Sequence, residues 1–102
     1  MQSQLVLKFR RPALDNAGVF ALEASLAQTL ADSAEMDGHN AGTSDIDVFI
    51  ITSDPASTFR RCKPVLEPLQ LLDRVVAAHR FVGGLRFKVI WPLKWGRKFS
   101  VD

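Results

Sequence analysis

The chain has one cysteine, Cys62, so no intrachain disulfide can form and no metal site can be built from several thiolates. It has no apolar run near the roughly 18–20 residues needed to cross a bilayer, so no membrane partner is expected. The first residues, MQSQLVLKFRR, lack the basic start, long apolar stretch and small-residue cleavage site of a signal peptide. A cytoplasmic location is therefore expected. A glycine-rich phosphate loop and a Gly-x-Ser-x-Gly elbow are missing too, which removes two common routes to nucleotide and acyl chemistry. There is no internal repeat and no low-complexity segment.

What is present fits one domain spanning residues 1–102. Apolar residues make up 47% and charged residues 24%, a balance that can close a single core. The net charge is only +2, so charge repulsion does not favour disorder. The charges are unevenly placed. Residues 1–54 hold three basic and eight acidic side chains, and residues 55–102 hold ten basic and three acidic. Such asymmetry points either to an anionic partner or to two halves that pair once folded.

Residues 3–10 alternate, with Leu5, Leu7 and Phe9 on one side and Lys8 and Arg10 on the other, as a half-buried strand does. Asp15 or Asn16 caps a helix whose stripe is Val19, Leu22, Leu26 and Leu30. Glu35–Asn40 reads as an edge strand hairpinned to the β-branched and aromatic run from Asp45 to Thr52. Asp54-Pro55 opens a second helix carrying Phe59, Cys62, Leu66 and Leu69 at helical spacing. Pro64 kinks it and Pro68 ends it, since each proline costs about 3 kcal/mol in a helix interior. Residues 75–91 read as a hairpin turning at Gly83-Gly84, whose glycines supply positive φ angles. Residues 93–102 form a basic tail with interleaved aromatics, expected to be mobile. The order is β-α-β-β-α-β with one further strand from the C-terminal hairpin, residues 75–82, placed before the last. This predicts an α+β, ferredoxin-like two-layer sandwich, an antiparallel sheet with two helices on one face.

Several constellations could carry chemistry. Asp45 and Asp47 are two apart on a strand and project from one face, as a pair holding a divalent metal would. His39, in Asp37-Gly38-His39-Asn40, lies across the expected hairpin and would complete a metal or acid–base site. Cys62 falls on an apolar stripe, where a small buried thiol is expected; Arg60, Arg61 and Lys63 beside it are what would lower its pKa if it were a nucleophile. His79 is the one base that could meet it. Arg86 and Lys88 alternate with Leu85, Phe87 and Val89. If the last strand lies beside the first, Arg86 and Lys88 join Lys8 and Arg10 on one open face, a surface for an acidic protein or a nucleic-acid backbone.

Two resemblances follow from these residues. Ser44-Asp45-Ile46-Asp47-Val48 looks like the Asp-x-Asp strand of the nucleotidyltransferases, which implies carboxylates that position metal for phosphoryl transfer. The Gly-Ser pair that this family has about a dozen residues upstream is not matched, and no third carboxylate falls inside an expected strand. Over residues 35–92 the chain resembles a group of small bacterial proteins of ferredoxin-like α+β type that have no assigned activity. The matching elements are Asp37-Gly38-His39, Val48-Phe49-Ile50-Ile51-Thr52, Asp54-Pro55 with Phe59, Lys63-Pro64-Val65-Leu66-Glu67 and Val89-Ile90-Trp91-Pro92. The resemblance implies a fold and a bacterial origin and no catalytic residue.

With no complete catalytic motif, the expectation is a small non-enzymatic binding or protein-interaction module. It would need no cofactor and would take a protein partner, with a homodimer as one form. The alternatives are a metal-dependent enzyme using Asp45 and Asp47, and a nucleic-acid-binding domain using the basic second half.

Overall fold

The computed structural model describes residues 1–101; Asp102, the last residue of the expected tail, lies outside them. The first strand, β1 (Ser3–Arg10), is central and alternates as its sequence dictates. Leu5, Leu7 and Phe9 are fully buried against the helices. Helix α1 (Asn16–Leu30) begins where the Asp15 carboxylate accepts a 2.7 Å hydrogen bond from the Gly18 amide. It buries Val19, Leu22, Leu26 and Leu30, and a short 3₁₀ turn (Ala31–Ser33) leads out of it.

Strands β2 (Glu35–Ala41) and β3 (Asp45–Thr52) pair antiparallel, with an irregularity between Met36 and His39. Gly38, at φ 83°, supplies the left-handed residue at that irregularity. Helix α2 (Pro55–Leu66) follows, its N-terminus capped by the Asp54 carboxylate on the Ser57 amide. The hydroxyls of Thr52 and Thr58 meet at 2.7 Å in the interior and tie the end of β3 to the first turn of α2. The helix runs through Pro64 and stops before Pro68. Pro64 is tolerated because the amide it lacks would have bonded the carbonyl of Arg60, on the exposed side of the helix. The Arg61 guanidinium reaches across to Ser33 Oγ and to the Thr29 carbonyl, at 2.8 Å, pinning α2 to the C-terminal end of α1.

Strand β4 (Val75–Phe81) and strand β5 (Lys88–Trp91) complete a five-stranded antiparallel sheet of order β2-β3-β1-β4-β5. Both helices lie on one face, giving an α+β fold. The hairpin at 75–91 forms, but its turn differs from the expected one. The Gly84 amide bonds the Phe81 carbonyl at 2.7 Å and only Gly83 takes a positive φ, 84°. The turn is thus centred on Val82-Gly83. Counting from His79 opposite Lys88 still leads to Val82 opposite Leu85, the register of the tight turn, yet the strands separate before reaching it.

A second correction concerns strand order. The strand expected as an insertion, β4, is the neighbour of β1, and β5 lies outside it at the sheet edge. Val75, Ala77 and Ala78 in β4 are buried on both faces, which suits an interior position. Four-residue β5, with exposed Lys88, suits an edge.

Candidate functional site

Side chains directly opposite each other in an antiparallel pair share a face. The register therefore assigns every strand residue to the helix-covered face or to the open one. Gln4, Val6, Lys8 and Arg10 of β1 lie on the open face with Asp45, Asp47, Phe49 and Ile51 of β3. Val76, Ala78 and Arg80 of β4 join them.

Asp45 and Asp47 do project together, as their spacing requires, but Lys8 stands between them. Its Nζ lies 3.1 Å from Asp47 and 3.7 Å from Asp45. The Asp47 side chain is only 3% exposed, so this is a largely desolvated pair. The ammonium supplies the positive charge that a divalent metal would have brought. His39 is not part of this group. It pairs with Val48 and so faces the helices, where its Nδ1 lies 2.8 Å from Glu23 Oε1 and the Phe20 ring meets it edge-on. The expected trio Asp45, Asp47 and His39 is thus split between the two faces of the sheet. Among the described residues no three His, Cys, Asp or Glu side chains cluster as metal ligands.

The expected cation quartet is divided as well. Lys8 and Arg10 are on the open face, but Lys88 lies opposite His79, which lies opposite Leu5, so Lys88 is on the helix side. Arg86 is exposed in the connection before β5. The cause is twofold: β4 separates β5 from β1, and Lys88 and Val89 take the faces opposite to those expected. Val89 lies opposite Ala78 on the open face, and the register shift between Ala77 and Ala78 then brings Trp91 to the helix face, where its ring lies 5.9 Å from Phe59.

Cys62 is fully buried, and burial pushes its thiol up to about 12 against the opposing effect of Arg61. It is protonated at any physiological pH, which suits packing and not nucleophilic attack. His79 is held below its ordinary 6.5 by burial and then by the nearby Lys88 charge.

Instead, the open face gathers a different set. The C-terminal segment after β5 folds back over it. Phe99 packs on Phe87 at 5.1 Å between centroids and under Lys8 at 5.6 Å; Arg80 lies 4.6 Å from the Phe87 ring. Val6 and Ala78 are fully buried on this face although no helix covers it. At one end a cavity of about 270 Å³ remains, lined by Lys8, Arg10, Ser44, Asp45, Arg74, Val76, Trp95 and Arg97. Four of those side chains are cations and one is a carboxylate. Arg10, Arg74 and Arg97 make no ion pair among the described residues, and the buried Trp95 Nε1 has no acceptor among them. Arg97 lies over the Trp95 ring at 5.9 Å.

Of this set, alternation placed Lys8 and Arg10. Arg74, at the entry to β4, carries no local signal. Trp95 and Arg97 fall in the basic, aromatic tail, whose composition marks it without showing where it docks. A larger cavity of about 480 Å³, bordered by Glu67, Asp73, Arg74 and Trp91, mixes both charge signs and selects no ligand. Comparison with protein-family models, with characterised proteins and with solved structures gives no match.

Proposed function

We propose that the chain is a non-enzymatic binding module whose anionic partner docks on the open face of the sheet, at the cavity between Arg10, Arg74 and Arg97. One observation carries this reading: three arginines from three separate segments line one cavity and form no ion pair among the described residues, the one carboxylate there, Asp45, being engaged by Lys8. Like charges gathered this way repel unless an anion screens them. The groups that would serve catalysis support the same side. The Cys62 thiol is held protonated, Asp45 and Asp47 are engaged by Lys8, and His39 lies across the sheet from them.

We read the architecture as ferredoxin-like with one added edge strand. Its support is the element order β1-α1-β2-β3-α2-β4 with β3 and β4 flanking β1. No helix of the described residues is long and apolar enough to cross a membrane. A cytoplasmic setting is the one this reading assumes.

Two charge reversals test the surface. Arg10→Glu with Arg74→Glu reverses the cavity; Arg86→Glu with Lys88→Glu reverses basic groups elsewhere at equal charge cost. Retention on heparin, polyglutamate and single-stranded DNA supports is then measured at low and moderate salt. The first pair is expected to abolish retention, and the second to leave most of it. Equal losses would show that net charge and not this cavity governs binding.

A further inference from the structure

We infer that the anion taken by the open-face cavity is a phosphoryl group, clamped between the sheet and the C-terminal segment. The inference rests on the open face being the anion-binding surface and adds the chemistry of its ligand.

The first support is charge. Lys8, Arg10, Arg74 and Arg97 surround the site, and Asp45 and Asp47 lie on Lys8. Two positive charges are left over, which a phosphate monoester dianion balances and a single carboxylate does not. The second is donor geometry. Three arginines and Ser44, each carrying hydrogen-bond donors, line one cavity. A carboxylate presents two oxygens in one plane, whereas a phosphoryl group presents three arranged tetrahedrally and can engage donors from several directions. The third is the state of the aromatic rings. Trp95 has Arg97 against it, Phe87 has Arg80 and Phe99, and Phe99 has Lys8. These contacts occupy the rings that a stacked nucleobase would use, so recognition falls on the oxyanion.

The site is built from both ends of the chain. Lys8 and Arg10 come from β1, Ser44 from the turn into β3, Arg74 from the entry to β4, and Trp95 with Arg97 from the returning segment. A bound phosphoryl group would bridge Arg10 and Arg74 to Arg97. It would thereby hold residues 93–99 onto the sheet, coupling ligand binding to the order of that segment.

The experiment uses the full chain and three probes: inorganic phosphate, a single-stranded oligonucleotide and a polyglutamate peptide. Binding is followed by calorimetry, and ³¹P shifts report the phosphate. The variants are Arg74→Ala, Arg97→Ala and, as a control outside the cavity, Arg86→Ala. Saturable phosphate binding is expected, weakened about tenfold by Arg74→Ala and by Arg97→Ala and unchanged by Arg86→Ala. An oligonucleotide that binds more tightly than phosphate, with a logarithmic salt slope near about −0.7 per contact, would identify the source as a nucleic-acid backbone. An oligonucleotide no tighter than phosphate would identify a small phosphate ester. Polyglutamate binding that depends on Arg74 while phosphate stays silent would overturn the phosphoryl assignment and leave the anion-binding surface standing. If no probe responds to Arg74→Ala or Arg97→Ala, both fall.

Discussion

His79 faces the helix side of β4, opposite Leu5 on one flank and Lys88 on the other. Burial favours its neutral form and the Lys88 ammonium adds to that preference, so its pKa lies below the ordinary 6.5. The unfolded chain binds a proton near 6.5 while the folded chain does not. Neutral His79 thus contributes stability above that value, and the contribution is lost as pH falls through the lower, folded pKa. We expect the His79 ring resonances in an NMR titration to move at a midpoint below 6.5. Lys88→Gln should raise that midpoint without restoring the ordinary value, because burial is the larger cause. A midpoint unmoved by Lys88→Gln would show that the two side chains do not sense each other. Lys8 is the contrasting residue. Removing its ammonium would leave the buried Asp47 carboxylate without that charge partner, a change of the kind that typically costs about 3–5 kcal/mol. Its role on the open face is first to neutralise and only second to attract.

Both helices begin at an aspartate that accepts from the amide three residues on, at 2.7 Å for Asp15 and 3.0 Å for Asp54. Each cap satisfies an amide with no partner inside its helix. Asp15→Ala and Asp54→Ala are each expected to cost about 1 kcal/mol. The caps belong to different helices and share no hydrogen-bond partner, so the double variant should lose the sum, about 2 kcal/mol. Urea unfolding with unchanged denaturant dependence measures this; a double variant no worse than either single one would contradict it. These starts, with the stripe Val19, Leu22, Leu26 and Leu30, were legible because they are written within four residues along the chain. The hairpin was legible in position but not in its turn. Gly83 alone takes the left-handed conformation, and the strands open into the connection 82–87. Two adjacent glycines permit either turn, and only the pairing of the flanking strands selects one.

Across the whole molecule, the two faces of the sheet are covered by different means. Helices α1 and α2 bury one, and the returning C-terminal segment covers much of the other. Phe99 is half-buried there, so releasing it returns about 1 kcal/mol of apolar burial to water. Deleting residues 93–102 should leave the strands and helices intact by circular dichroism. It should lower stability by about that amount and raise binding of a hydrophobic dye as Val6, Ala78 and Phe87 become accessible. A truncated chain with unchanged dye binding would show that the segment does not protect this face. The outer strands are both interrupted. The β2–β3 and β4–β5 ladders each carry a register shift, and β5 is four residues long. Such edges are poor templates for adding a further strand, which directs recognition to the open face.

The sequence by itself determined the elements, the helix starts and the α+β class. Those depend on periodicity, capping and proline, all of which act between residues a few positions apart. It also placed Asp45 beside Asp47 and Lys8 beside Arg10 on their strands, because alternation is a property of one strand. Only the tertiary structure decided what those residues meet. Strand order put β4 between β1 and β5 and so separated Lys88 from Lys8. The register put Lys8 across from Asp47 and sent His39 to the other face. A one-residue shift at Ala77/Ala78 sent Trp91 to the helix face while Val89, two positions before it, stayed on the open one. Arg74 and Arg97, 23 positions apart in the chain, share a cavity because the last segment turns back across the sheet. Pairing across strands is set by the summed packing of the whole sheet, and a one-residue slip reverses every side chain beyond it.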